Sequence, residues 1–202
     1  MAALTPTDIA NMALGILTEA PIDNLDEDSK AARLCNLHFE TTREAALQKH
    51  AWVFAVKRVE VDPAETSGAW RWAYEMPADA LRILPVMDGD IEIDWTREGS
   101  QVLTHCGGTR VMRYVANIID PNDWPAVFTE VLAAALAVKI AHPLTGKSNM
   151  VQMAKDAYSD AVREALRVNA IEKKGHCPRS SWIEARGGTY RGNARARHGA
   201  GW

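Results

Sequence analysis

Val127-Phe128-Thr129-Glu130-Val131-Leu132-Ala133-Ala134-Ala135-Leu136-Ala137-Val138-Lys139-Ile140-Ala141 is the most apolar run of the chain, and its reading decides the fold. Val127, Val131, Ala134, Ala135 and Val138, with Leu132 and Ile140, spread a broad apolar face at helical spacing. Alanine favours the helix and lets neighbouring helices approach closely. Glu130 and Lys139 interrupt the run, and the segment is expected to be too short to cross a bilayer, which needs about 20 apolar residues. His142-Pro143 predicts its end. Ser148 is expected to cap a following helix, where Met150, Val151, Ala154, Ala157, Tyr158, Ala161, Ala165 and Val168 form a stripe ending near Ile171. The short link between the two predicts an antiparallel helix pair.

Upstream of this pair the texture is different. Val53 to Val61, Trp70 to Tyr74, Ile83 to Val86, Ile91 to Trp95, Gln101 to Leu103 and Val111 to Val115 are short, β-branched or aromatic, and bounded by turn formers. Their short connections predict an antiparallel meander. Further upstream, helical signals return. Thr5, Pro6 and Asp8 predict a capped start, followed by Ile9, Met12, Ala13 and Ile16 at helical spacing, with Ala20-Pro21 closing the segment. A second helix is expected from Asp28-Ser29 to about Ala51, with Ala31, Leu34, Cys35, His38, Phe39, Thr42, Ala45 and Ala46 on one face.

The expected class is therefore α+β: two helical segments, residues 1–58 and 117–171, bracket a small antiparallel β-rich domain, residues 59–116. Residues 172–202 read as a flexible basic arm. They carry Lys173, Lys174, Arg179, Arg186, Arg191, Arg195 and Arg197 among glycines, and composition denies them a core. Trp182 and Trp202 lie there too. Trp and Arg are enriched at interface hot spots, so Arg179, Trp182, Arg186, Arg191 and Trp202 are the expected partner-binding residues.

Composition bounds the function. Of 202 residues, 47% are hydrophobic and 24% charged, close to soluble averages, and the formal net charge of -3 gives no global attraction to nucleic acid or anionic membranes. No membrane partner is expected. The first residues have neither a positive start nor an apolar stretch, so no signal peptide is expected. Cys35, Cys106 and Cys177 are odd in number and far apart, which fits folding in reducing cytoplasm.

Catalytic and metal signatures are weak. Gly146-Lys147-Ser148 lacks the glycine a phosphate-binding loop needs at position 141, which is Ala141. Cys35 with His38, His105 with Cys106, and His176 with Cys177 lack the paired spacing of a structural zinc site. Asp90, Glu92 and Asp94 alternate and would share one strand face, opposite Ile91, Ile93 and Trp95. Their spacing comes near that of glycosidase carboxylates, but a solvated sheet face is the simpler reading. No enzymatic activity, cofactor or metal is expected.

Four stretches in order resemble the tail tubular protein A family, the head-to-tail adaptors of short-tailed bacteriophages. They are Asn11-Met12-Ala13-Leu14-Gly15 with Ile22 to Ser29; Ala31 to Cys35 with Phe39 and Arg43 to Leu47; His50 to Ala55 with Arg58; and Trp72 to Ile83. The resemblance covers about the first 85 residues, and the 172–202 segment carries no matching pattern.

The resemblance implies that the two helical segments form one antiparallel helical bundle interrupted by the β-rich domain. The same resemblance implies a twelve-fold ring beneath the portal protein that extends the DNA channel and presents a platform to the tail nozzle, a tail tubular protein B-like partner. It also implies transient contact with passing DNA, a place in the virion after synthesis in host cytoplasm, and a C-terminal segment that reaches the portal. Two rival expectations remain. One is a nucleic-acid-binding assembly protein that uses the Arg- and Gly-rich arm; the other is a tail-associated cell-wall hydrolase that uses Asp90, Glu92 or Asp94.

Overall fold

The structure, a computed structural model, describes residues 3–66, 69–88 and 91–173. Met1–Glu172 forms one compact unit of mixed α+β architecture. Its helices are α1 (Pro6–Ile16), α2 (Lys30–Lys49), α3 (Ala126–Thr145) and α4 (Ser148–Glu172). Between α2 and α3, among the described residues, come nine short strands: β1 (Val56–Val61), β2 (Ala64–Glu65), β3 (Trp72–Glu75), β4 (Ala80–Ile83) and β5 (Met87–Asp88), then β6 (Ile91–Glu92), β7 (Trp95–Glu98), β8 (Gln101–Thr104) and β9 (Arg110–Ala116).

The start of α1 is as expected. Asp8 N–H donates to Thr5 Oγ1 at 3.2 Å and Thr5 N–H donates to Asp8 Oδ2 at 2.9 Å, a reciprocal capping box. Those bonds hold the Asp8 carboxyl below its ordinary range. The end differs from the expected stop at Ala20-Pro21. Thr18 takes a left-handed φ of 57°, its N–H donating to Gly15 O at 3.1 Å and Glu19 N–H to Leu14 O at 3.0 Å. This reversal uses the free carbonyls of the last turn, so α1 stops at Ile16, before the proline matters. Ser29 accepts from Ala32 N–H and opens α2.

The stretch expected to be extended from Val53 instead makes one 3-10 turn, Val53–Ala55, before β1. Three further corrections concern α3 and α4. Pro143 lies inside α3, which runs on to Thr145 and closes at Gly146 with a φ of 67°. A proline this close to the end removes one of the last helical bonds, and Gly146 N–H to His142 O at 2.9 Å completes the turn without it. Ser148 is the first helical residue of α4 instead of its cap, and Val151 N–H already donates to Lys147 O at 3.4 Å. Extended at both ends, α3 reaches 20 residues, with a mean hydropathy of 1.5 over an 18-residue stretch, long and apolar enough to cross a membrane by length and composition. Here it is the central helix, packed against α1, α2 and α4, with α4 returning along it.

The strands are not a meander. β9 is the middle strand of one sheet, antiparallel to β1 from Val56↔Val115 to Val61↔Arg110 and to β4 on its other edge. A second sheet has the order β2-β3-β8-β7, and β5 and β6 form a separate hairpin. Short loops do join neighbouring strands, but β1 and β9, the most separated in sequence, pair directly. β9 carries the buried Met112, Tyr114, Val115 and Ala116, and its central position pairs both of its edges.

Strand periodicity divides the core in two. Val115 belongs to the apolar cluster of the helices, together with Leu84 and Ala55, while Met112, Tyr114 and Ala116 join Tyr74, Ile83, Val86 and Val102. Alternate residues of β9 thus face different cores.

Candidate functional site

Arg179, Trp182, Arg186, Arg191 and Trp202 lie outside the described residues, as do Asp90, His176 and Cys177. Glu92 and Asp94 are exposed, but they do not share a strand face: β6 ends at Glu92 and β7 begins at Trp95. Ile91, expected on the covered side, is 72% exposed, whereas Ile93 and Trp95 pack against the strand core. The two-residue β5–β6 hairpin is too short to keep the alternation going. Its carboxylate with a partner is Asp88, held below its ordinary range by Arg110 Nη1 at 2.7 Å.

Cys35 is fully buried, and burial pushes its thiol up to about 11. A thiol in that setting is a packing group. Among the described residues no three His, Cys, Asp or Glu side chains gather as a metal cluster. Gly146 and Lys147 link two helices, not a strand and a helix.

The tryptophans divide by surroundings. Trp52 and Trp124 are buried at 2% and 7% exposure and meet Phe128 edge-on, at centroid distances of 5.5 and 5.6 Å. Trp70 is half-buried and stacks on His105 at 4.6 Å. Trp72 lies over Gly107, where a Cβ would come within 2.6 Å of the indole.

The residues that carry the resemblance hold the fold together. Asn11 clamps the Ile22 backbone, its Oδ1 accepting from Ile22 N–H at 2.8 Å and its Nδ2 donating to Ile22 O at 3.0 Å. Trp52 Nε1 donates to Ala46 O at 2.9 Å, and Tyr74 Oη donates to Gly108 O at 2.8 Å. Arg43 Nη2 reaches Glu40 at 2.7 Å and Asn117 Oδ1 at 3.3 Å, tying α2 to the chain just after β9.

Two apolar clefts flank α4, and these are the surfaces most suited to a partner. The first, about 480 Å³, lies between α1, α3 and α4 and is lined by Met12, Gly15, Ile16, Glu130, Ala133, Ala134, Ala157 and Ala161. The second, about 210 Å³, lies between α2, α3 and α4; Thr42, Ala45, Lys49, Ala135, Val138, Lys139 and Tyr158 are among its walls. Glu130 and Lys139, nine positions apart on α3, point about 180° from one another at roughly 100° per residue. The two charges that interrupt the central helix therefore open into different clefts. The interruption is visible in the sequence; the helices that frame each charge are not.

His50, which caps the end of α2, is a histidine whose titration is moved by its surroundings. Its Nε2 is buried without a hydrogen-bond partner, and burial, then Lys49 and Arg82, hold its pKa below the ordinary 6.5. A depressed histidine pKa means the unfolded chain takes up the proton first. Stability is therefore fully present above pH 6.5 and falls as pH drops below that value towards the folded pKa. Denaturant midpoints measured between pH 7.5 and 5 should show this fall, and His50→Gln should flatten it. An unchanged slope in the variant would assign the fall to other groups.

No protein-family model matches the chain, and no curated protein matches it in sequence.

Proposed function

We propose that this chain is a structural subunit of a phage head-to-tail adaptor, a ring between the portal and the tail nozzle that continues the DNA channel. In this reading the four helices form an antiparallel bundle that packs side by side around the ring, and the β-rich segment is its insert. Residues 172–202 order on the portal, with Trp182 and Trp202 as apolar anchors and Arg179, Arg186 and Arg191 pairing with carboxylates.

The observation that carries the reading is the pair of unlike clefts on the two flanks of the α3–α4 pair. A ring closes through a heterologous contact repeated by rotation, and such a contact needs two different patches on every subunit. The ordered series of motifs from Asn11 to Ile83 supports the family side of the reading.

Removing residues 172–202 tests the arm. The truncated protein should stay folded by circular dichroism yet lose portal binding in a pull-down. Retained binding would place the portal contact elsewhere on the chain.

A further inference from the structure

We propose that the two clefts beside α4 are the two halves of one contact, in which Glu130 of one copy seats in the Lys49–Lys139 cleft of the next. The inference rests on the self-association in the reading above and goes on to name the faces and the charges that set their register.

The receiving cleft is built for a carboxylate on a short aliphatic stem. Its floor is Ala45, Ala46, Ala135 and Val138, and its polar groups are Lys49, Lys139, Tyr158 and Thr42. Lys49 Nζ donates to Tyr158 Oη at 3.0 Å and lies 4.9 Å from that ring's centroid, which fixes the ammonium over the cleft with two donors to spare. Thr42 is 4% exposed, and its hydroxyl has no hydrogen-bond partner, an unmet polar group in the wall of the cleft. Lys139 is exposed and makes no ion pair among the described residues.

The same chain carries the complementary piece. Glu130 is exposed and, among the described residues, equally without an ion pair. It stands beside Ala133, Ala134, Ala157, Ala161 and Gly15, small residues that let another surface come close, with Met12 40% exposed at the same cleft. Opposite charges on opposite flanks favour binding of flank to flank and disfavour like against like. A copy engaged on one flank keeps the other free, so the contact propagates until it closes.

Sedimentation velocity of the full-length protein at low salt, over a range of concentrations, tests this with Glu130→Lys, Lys139→Glu and the double variant. The wild type should form species larger than a dimer. Each single reversal should weaken association by about tenfold or more, since like charges now face each other. An equimolar mixture of the two single variants offers a compatible pairing at both flanks, so alternating copies should recover the larger species, as should the double variant on its own. Wild-type association left unchanged by both reversals would overturn these faces and leave self-association standing. A wild type that stays monomeric throughout would overturn the contact proposed here, while assembly on the portal would still be decided by the portal mixture.

Discussion

Phe128→Ala should lower stability by about 4 kcal/mol, the cost of a phenylalanine-sized cavity in a close-packed core. Phe128 is fully buried in the first turn of α3, ringed by Trp52 at 5.5 Å, Phe54 at 5.0 Å and Trp124 at 5.6 Å. Those rings come from the turn that leaves α2 and from the segment that enters α3, so the cluster joins both ends of the strand-rich stretch to the central helix. Trp52 and Trp124 are held by their own indole bonds, to Ala46 O at 2.9 Å and Ile118 O at 3.3 Å. Held in place, the neighbours cannot collapse into the space, which puts the cost near the upper part of the usual range. For a chain of this size that is roughly a 12 °C fall in Tm. Phe128→Leu keeps most of the volume and should lose less than half as much. Equal losses in the two variants would show that ring stacking, and not volume, holds the cluster.

Arg43→Ala should cost about 3 kcal/mol, and Arg43→Met should cost much less. The Arg43 side chain is only 3% exposed, bonded to Glu40 at 2.7 Å and lying 3.8 Å from Glu44. Its Nε is buried without a partner, so the guanidinium is incompletely satisfied even in the folded state. Alanine removes the packed stem and leaves Asn117 without its donor from α2. Methionine restores the stem and discards the unsatisfied nitrogen, while Glu40 and Glu44 reach water. Chemical denaturation of both variants decides the matter. If Arg43→Met is as costly as Arg43→Ala, the ion pairs outweigh the packing.

The helices were legible because their signals are local. Thr5, Pro6 and Asp8 announce α1 within four residues, and Ser29 announces α2. What failed was whatever depended on distant partners. Pro143 reads as a stop, yet α3 runs past it to Thr145, giving up the bond an N–H there would have made, and closes at Gly146. The meander failed because Val56 to Val61 pairs with Arg110 to Val115, a register that no window of neighbouring residues contains. Asp90, Glu92 and Asp94 alternate in sequence, but the strand that would align them ends at Glu92.

The candidate site was half legible for the same reason. Glu130 and Lys139 stand out as charges in an apolar helix, and helical geometry alone places them on opposite sides. That each opens into a cleft closed by α4 and by a different N-terminal helix required the fold. The expected arm residues Arg179, Trp182, Arg186, Arg191 and Trp202 lie outside the described residues, so the interaction surfaces that geometry adds are those of the helices.

The most direct measurement is the mass of the full-length protein in solution, alone and mixed with a portal ring, by light scattering coupled to size-exclusion chromatography. The account predicts one defined complex in the mixture, with its mass raised above the portal's by a fixed whole number of copies. A chain that elutes as a monomer beside an unchanged portal peak would contradict it.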